Sequence, residues 1–110
     1  MYRSPKTNQR LERHLAIFLD GTDSASLTIG SGLAALTDNG TGDYTLTFNK
    51  PFARAPIVLV TPLTKVYANV TASSTTACTI KTFNDGGSAV DADMNVLVIG
   101  WDTADEYSEL

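Results

Sequence analysis

The 110-residue sequence predicts an all-β protein: a compact antiparallel β-sandwich, of which the jelly roll is one type, with an extended N-terminal arm. Residues 44–49 alternate between apolar and polar side chains, which is the period of a strand with one buried face. Turn-forming Asp, Asn and Gly recur between such segments at the spacing typical of sandwiches and barrels. Hydrophobic residues make up 43% of the chain and charged residues 18%, a globular composition. We expect one domain with about seven strands and no helix.

The first predicted strand follows a basic segment. Residues 1–14 are mostly polar and hold four of the eight Lys and Arg residues, so we assign them to the arm. Residues 15–19 form a short apolar run that ends at Asp20 and Gly21, a strong turn signal. The length of this run and its β-branched and aromatic content favour a strand over a helix.

The second predicted strand covers residues 24–30. Leu27 and Ile29 are separated by Thr28, and Ser26 precedes Leu27. Because side chains alternate across a strand, we expect Leu27 and Ile29 on one face.

A hairpin is the clearest local prediction. Residues 34–37 lead into the sequence DNGTGD, in which Asn39 and Gly40 tolerate the positive φ of tight hairpin turns. The strand at 44–49 follows without a break in its alternation. Its predicted buried residues are Tyr44, Leu46 and Phe48. A slip of one residue would expose all three side chains, so the register is well specified.

Four further strands complete the prediction. Prolines interrupt the chain before the strand predicted at 57–60. Residues 57–60 are apolar on both faces, and so is the middle of the last predicted strand, at 93–101. We expect both of these strands to lie centrally, covered on two sides. Residues 67–73 and 77–83 form another pair, and a turn follows at 84–88. The β-sandwich domain is predicted to span residues 15–102.

The two ends of the chain carry opposite charges. Residues 1–14 are basic, whereas six acids and no base occur from Asp91 to the end, and residues 103–110 are predicted to form an acidic tail. This asymmetry indicates contacts between subunits or with a partner surface, although two solvated termini would look the same. The candidate contact residues are Arg3, Lys6, Arg10, Arg13, Asp102, Asp105, Glu106 and Glu109.

The sequence offers little for catalysis or cofactor binding. His14 is the one histidine, and no nucleophile elbow or Gly-rich phosphate loop is present, so we expect no enzyme and no cofactor. Cys78 is the one cysteine and lies in a predicted strand, where a buried packing role is favoured. Acidic residues in the loops could hold calcium, but none matches an EF-hand and all are ordinary turn formers, so no metal is predicted.

Membranes and nucleic acids are not predicted partners. No apolar run approaches the roughly 20 residues of a membrane span, and no apolar stretch resembles a signal peptide at the N-terminus. Four basic residues on a short arm are a weak footprint for nucleic acid, and the remainder of the chain is acidic. The arm is better suited to an acidic protein surface, such as the tail of a neighbouring subunit.

Residues 36–48, LTDNGTGDYTLTF, resemble a motif of virion surface β-domains in tailed bacteriophages. The proline-containing bend and apolar strand at 49–60 are similar to the continuation of that motif, and residues 95–100 look like its last strand. A tail-fibre protein carries this module on a long repetitive shaft, whereas this chain has none. It is therefore most similar to a capsid decoration, or cement, protein.

The resemblance implies a particular function and setting. It implies a homo-oligomer, a trimer, on the virion surface, made in the host cytoplasm and bound to the major capsid protein or other virion proteins. Its function would be to stabilise the head by bridging subunits. The alternative is a receptor- or glycan-binding module of a tail or head fibre, acting through residues 38–43, 84–88, Tyr67 or Trp101. An enzyme that uses His14 as its base is the third hypothesis.

Overall fold

A computed structural model describes residues 12–22 and 25–102, which form eight strands and no helix. The strands are β1 (Glu12–Asp20), β2 (Ser26–Ile29), β3 (Ala34–Gly40), β4 (Asp43–Phe48), β5 (Ile57–Pro62), β6 (Tyr67–Ser73), β7 (Ala77–Phe83) and β8 (Met94–Trp101). The all-β prediction is confirmed.

The strands form two four-stranded antiparallel sheets. Sheet 1 has the order β2-β1-β8-β5 and sheet 2 the order β3-β4-β7-β6. Their inner faces pack together, with β5 against β6 and β2 against β3 at the margins. This is an antiparallel β-sandwich, as predicted. The jelly-roll form is not confirmed, and residues 1–11 of the predicted arm lie outside the described residues.

The core lies between the sheets and consists of alternate residues of the central strands. Burial of these apolar side chains is the main stabilising contribution to the fold. Sheet 1 contributes Leu15, Ile17, Leu19, Met94, Val96 and Val98. Sheet 2 contributes Ala34, Tyr44, Leu46, Phe48, Cys78 and Ile80. Phe52, from the loop after β4, closes one end of the core.

The predicted register of β4 is confirmed. Tyr44, Leu46 and Phe48 are buried, whereas Thr45 and Thr47 face outward. The bounds of β6 and β7 are those predicted from the sequence, and residues 74–76 connect them. These strands were predictable because their alternation and turn residues are local properties of the chain.

The β3–β4 turn lies within the predicted segment DNGTGD but is shorter than that segment, and Gly40 has a positive φ of 131°. Asn39 and Gly40 belong to β3, which has an irregular register between Asp38 and Gly40. The two residues between the strands are Thr41 and Gly42, and Gly42 has a φ of 63°. A Cβ on Gly42 would lie 2.6 Å from the carbonyl oxygen of Thr82, so this position requires glycine for space as well as conformation.

The prediction that Leu27 and Ile29 share a face is wrong. Leu27 pairs with Leu19, but Ile29 pairs with Phe18, and the register shifts between Phe18 and Leu19. The bulge turns the two side chains to opposite sides. Leu27 packs against the core, whereas Ile29 is 60% exposed.

The predicted central position is wrong for β5. This strand lies at the edge of sheet 1, and its outward residues Ile57 and Leu59 are 51% and 53% exposed. β8 does lie between two strands, but its outward Leu97 is also exposed. No second layer formed by residues 12–22 or 25–102 lies over these outward apolar side chains.

β1 begins at Glu12, whereas the sequence-based prediction assigned residues 12–14 to the arm. Glu12 pairs with Trp101, Arg13 with Gly100 and His14 with Ile99. The pairing with β8 extends β1 beyond the apolar run, because backbone hydrogen bonds do not require apolar side chains.

Candidate interaction surfaces

The described chain enters and leaves the sandwich at the same end. Glu12, near the start, pairs with Trp101, which immediately precedes Asp102. The loop from Asn49 to Pro56 lies at this end as well, because the amide of Ala53 donates to the carbonyl of Trp101. We call this the terminal end of the sandwich.

An ion pair joins the two strands at the terminal end. Arg13 Nε donates to Asp102 Oδ1 at 2.8 Å, and Arg13 Nη2 lies 2.7 Å from the same oxygen. Arg13 Nη2 also donates to the carbonyl oxygens of Lys50 and Pro51, at 3.0 and 3.1 Å. The Asp102 side chain is only 5% exposed, and Lys50 Nζ lies 3.7 Å from its second oxygen. Both carboxylate oxygens therefore face cations, as a buried charge requires.

Aromatic side chains support this ion pair from within the core. The Arg13 guanidinium carbon lies 3.9 Å from the centre of the Phe52 ring, in cation–π geometry. Phe52 meets Phe48 edge to face, with ring centres 5.1 Å apart. A Cβ on Gly100 would lie 2.5 Å from Phe52 Cδ1, so glycine is needed for Phe52 to occupy this position. The terminal end is thus closely packed around Arg13 and Phe52.

The structure brings together two of the predicted contact residues. Arg13 and Asp102 bind each other within one chain, at the terminal end. The other six, Arg3, Lys6, Arg10, Asp105, Glu106 and Glu109, lie outside the described residues. Contacts of these eight residues with another subunit or a capsid remain a prediction, but Arg13 and Asp102 already have a role inside the domain.

The opposite end of the sandwich carries loops rich in Asp and Gly, which we call the loop end. Asp91 Oδ1 accepts from the amide of Gly42 at 2.7 Å and lies 3.1 Å from the Tyr44 hydroxyl. That hydroxyl also lies 3.0 Å from the carbonyl oxygen of Gly21 and accepts from the amide of Ala92. Burial, with the charge of Asp91 nearby, raises the pKa of Tyr44 to about 12.

The loop aspartates use their oxygens to hold the backbone. Asp93 accepts from the amide of Gly21, and Asp38 accepts from the amide of Gly40. Hydrogen bonds from the backbone and side chain of Thr22 lower the pKa of Asp20. In the part of the chain that the structure describes, which omits Asp23, no three acidic, His or Cys residues form a group that could hold a metal ion.

The outward side of sheet 1 is apolar. Cross-strand rows run from Ala16 through Leu97 to Leu59, and from His14 through Ile99 to Ile57. A third row joins Ile29, Phe18, Asn95 and Thr61. We call the apolar members of these rows the apolar face: Ala16, Phe18, Ile29, Ile57, Leu59, Leu97 and Ile99. Such a contiguous exposed patch is typical of an interaction surface in a soluble protein.

A groove runs across the apolar face. Its volume is about 360 Å³, and its walls include Ala16, Phe18, Ile29, Leu59 and Leu97. Ala16 is the smallest of these residues and lies beside Leu97 in the centre of the sheet. The face is therefore uneven, with a hollow at Ala16 and projecting aliphatic side chains around it.

The outward side of sheet 2 is polar. Thr45 pairs with Thr37 on one side and Thr79 on the other, and the hydroxyls of Thr45 and Thr79 lie 3.4 Å apart. Lys81 Nζ lies 3.8 Å from Asp43 Oδ2 in an exposed ion pair. We call this side the polar face. Its exposed hydroxyls can be hydrogen-bonded by water.

Cys78 and His14 are the candidate reactive side chains that the sequence singled out. Burial raises the pKa of the Cys78 thiol to about 11, which makes the reactive thiolate scarce at neutral pH. His14 is exposed at the margin of the apolar face, with Nε2 3.3 Å from Glu12 Oε1.

No helix among the described residues is able to span a membrane.

The sequence-based reasoning missed the apolar face. Its signal was the presence of apolar residues on both sides of the strands at 57–60 and 96–99, which was interpreted as coverage by the chain's own layers. No protein-family model, curated protein or solved structure matches the chain.

Proposed function

We propose that this chain is a structural protein of a tailed-bacteriophage particle, which binds the capsid surface and stabilises the head by bridging subunits. The observation that carries the proposal is the pairing of Glu12 with Trp101, secured by the ion pair of Arg13 with Asp102. Because of it, the basic segment 1–11 and the acidic segment 103–110 are attached to the same end of one rigid domain. The resemblance of residues 36–48 to virion β-domains supports the phage setting.

This arrangement suits a protein that bridges subunits. Two charged segments that start close together can engage neighbouring sites on a surface, and binding of one raises the effective concentration of the other. Because the two segments carry opposite charges, each prefers a site of the opposite sign on the capsid surface. Such charge complementarity increases the specificity of docking more than its affinity. A homo-oligomer, the trimer that the resemblance implies, would multiply these contacts.

The proposal is tested on purified particles of the phage that encodes the chain. Labelled protein, or a particle reconstruction, should place it on the head surface. Localisation on the tail alone, or absence from the particle, would contradict the proposal.

Truncation tests the role of the N-terminal segment. Removal of residues 2–11 leaves β1 intact, since β1 begins at Glu12. We expect this variant to keep its circular dichroism spectrum and melting temperature and to lose binding to stripped heads. Replacement of Arg3, Lys6 and Arg10 by Ser should reproduce much of the loss at low salt, because charge carries the attraction. Full binding by both variants would show that the segment is not the contact.

A receptor- or glycan-binding module is the second candidate, and the loop end favours it. Residues 38–43 and 84–88 lie at this end, and Tyr67, at the start of β6, is 61% exposed there. Exposed aromatic side chains beside polar loops suit sugar binding. Trp101 lies at the terminal end, away from these loops. Binding on a glycan array that Tyr67→Ala abolishes and Trp101→Ala leaves intact would favour this candidate.

A further inference from the structure

We propose that Asn39 is a site of spontaneous covalent modification, in which its side-chain amide is hydrolysed, and that the folded β3–β4 hairpin slows this reaction. The inference goes beyond the proposed function, because it concerns the chemistry of the chain itself and needs neither a particle nor a partner. It depends on the residue that follows Asn39 and on three hydrogen bonds at the end of the hairpin.

The reaction is an attack of a backbone amide on the preceding side chain. The amide nitrogen of Gly40 loses its proton and bonds to Cγ of Asn39, and the Cγ–Nδ2 bond breaks, so that ammonia leaves and a five-membered cyclic imide remains. Water then adds to one of the two imide carbonyls and opens the ring. Addition at Cγ gives aspartate, and addition at the backbone carbonyl gives isoaspartate. Ammonia leaves as ammonium, so the net charge of the chain becomes one unit more negative than −4.

The sequence singles out Asn39 for this reaction. It is the one asparagine of the chain that precedes glycine. A side chain on the following residue obstructs the approach of its amide to Cγ, and glycine has none. Asp20 and Asp85 also precede glycine, but an ionised carboxylate resists attack by a nucleophile.

The end of the hairpin leaves space for the ring. Asn39 and Gly40 are both exposed, so water can reach both imide carbonyls. A Cβ on Gly40 would meet nothing within 4 Å, whereas one on Gly21 would collide with the carbonyl oxygen of Ala92. Crowding therefore does not prevent the reaction at Asn39.

Hydrogen bonds restrain both reacting groups instead. Asn39 Nδ2 donates to Thr45 Oγ1 at 2.8 Å and to Asp43 Oδ1 at 3.2 Å, which holds the side-chain amide towards β4. The amide of Gly40 donates to Asp38 Oδ1 at 3.0 Å. A carboxylate at this distance disfavours loss of the amide proton, because the resulting anion would lie beside a negative charge. The nucleophile and the carbon that it attacks are thus held apart.

The backbone adds a further restraint. Asn39 lies at the irregular register between Asp38 and Gly40, and Gly40 pairs with Asp43. The chain must turn at Asn39 before the ring can close, and this turn breaks the pairing. The reaction therefore requires the end of the hairpin to open, and an opening free energy of about 1.4 kcal/mol would slow it about tenfold.

Modification would alter the loop end. A carboxylate at position 39 cannot donate to Thr45 or Asp43, and it adds a third negative charge within residues 38–43. An isoaspartyl linkage also lengthens the backbone by one carbon, which is incompatible with the pairing of Gly40 with Asp43. We expect the modified hairpin to open more readily than the unmodified one.

The test incubates the full chain at physiological temperature and mildly alkaline pH, folded in buffer and unfolded in urea, and follows both samples by mass spectrometry. We expect aspartate and isoaspartate to accumulate at position 39, at least about tenfold more slowly in the folded chain. Asn69, which is exposed in β6 and precedes Val70, is the internal control and should stay unmodified. Equal rates in the two samples, no product at position 39 in urea, or earlier product at Asn69 would overturn the inference.

Substitutions test the hydrogen bonds separately. Asp38→Ala removes the acceptor of the Gly40 amide and should speed modification of the folded chain severalfold. Asp85→Ala, the matched loss of a charge in the other loop of the loop end, should leave the rate unchanged. In urea all three chains should react at similar rates, because the hairpin is absent.

Thr45→Val removes an acceptor of the Asn39 amide and keeps the shape of the side chain, so it should also speed the reaction. Circular dichroism and melting curves verify that the variants fold. Folded Asp38→Ala and Thr45→Val chains that react no faster than Asp85→Ala would contradict the role of the hydrogen bonds. Absence of the protein from phage particles would not affect this inference, and an unreactive Asn39 would not affect the proposed function.

Discussion

The two outer faces of the sandwich contrast although the strands beneath them are alike. In each sheet, alternate residues point into a shared core, and Leu15 in sheet 1 and Leu46 in sheet 2 are similarly buried. On the outside, sheet 2 presents Thr37, Thr45 and Thr79, whereas sheet 1 presents Ala16, Leu97 and Leu59 in the corresponding type of row. The inner residues hold the domain together in both sheets. The outer residues differ in polarity: they are mostly hydroxyl-bearing on sheet 2 and mostly aliphatic on sheet 1.

The largest expected effect tests the claim that the inner faces are equivalent. Leu46→Ala and Leu15→Ala should each lower the free energy of unfolding by about 2–5 kcal/mol, through lost burial and a cavity. Urea denaturation in dilute solution measures both. Thr45→Ala on the polar face is the control and should change stability by less than about 0.5 kcal/mol. A small effect of only one leucine change would show that one sheet contributes little to the core.

Alkaline pH should reveal a difference between the inner faces, because both buried titratable groups of the described core, Tyr44 and Cys78, belong to sheet 2. Their pKa values in the folded state, about 12 and about 11, exceed the ordinary values of 10.0 and 9.0. A raised pKa gives stability that is complete below the ordinary value and is lost as pH rises through the folded value. Unfolding free energy should therefore fall from about pH 9 upward, by about 2–3 kcal/mol for each group.

Substitution of the thiol separates the two contributions. Cys78→Ala should delay the onset of the alkaline loss to about pH 10, where Tyr44 begins to ionise in the unfolded chain. Urea denaturation at a series of pH values measures this shift. A flat profile between pH 9 and 11 in the unmodified chain would contradict the burial of the thiol.

The ion pairs of the two sheets should differ in strength. Asp102→Asn removes a buried partner of Arg13 and should cost about 2 kcal/mol of stability. Asp43→Asn, the matched change in the exposed pair with Lys81, should cost less than about 0.5 kcal/mol. Thermal unfolding in low and high salt compares them. Equal stability costs for the two substitutions would mean that the buried ion pair of Asp102 is no stronger than the exposed pair of Asp43.

The smallest expected effect connects the apolar face to stability. If copies associate through it, the melting temperature of the unmodified chain should rise with protein concentration, because association adds about 1 kcal/mol of stability for each tenfold increase above the dissociation constant. Leu59→Asp should remove this dependence, and Thr47→Asp should retain it. Melting curves at several concentrations provide the measurement, and a midpoint independent of concentration in the unmodified chain would indicate a monomer.

Local sequence patterns identified most strands and the two hairpin pairs β3–β4 and β6–β7, but not the pairing of strands distant in sequence. The alternation in β4 and the turn residues around β6 and β7 act over a few residues, so these elements and the buried Tyr44, Leu46 and Phe48 were predictable. Within the predicted turn segment 38–43, the pairing of Gly40 with Asp43 shortens the hairpin turn to Thr41 and Gly42. The bulge beside Phe18 similarly depends on the pairing of β1 with β2.

The sequence by itself determined an all-β chain, the main core register and the opposite charges of its ends, because each follows from side-chain period or composition. Tertiary structure alone decided that β5 is an edge strand, that Arg13 meets Asp102 and that apolar side chains remain on the outside of sheet 1. An apolar residue has the same sequence signature whether its own chain covers it or another molecule does. Which of the two applies depends on how strands far apart in sequence are arranged. In the described part of the chain, that arrangement places no strand over the outer face of sheet 1.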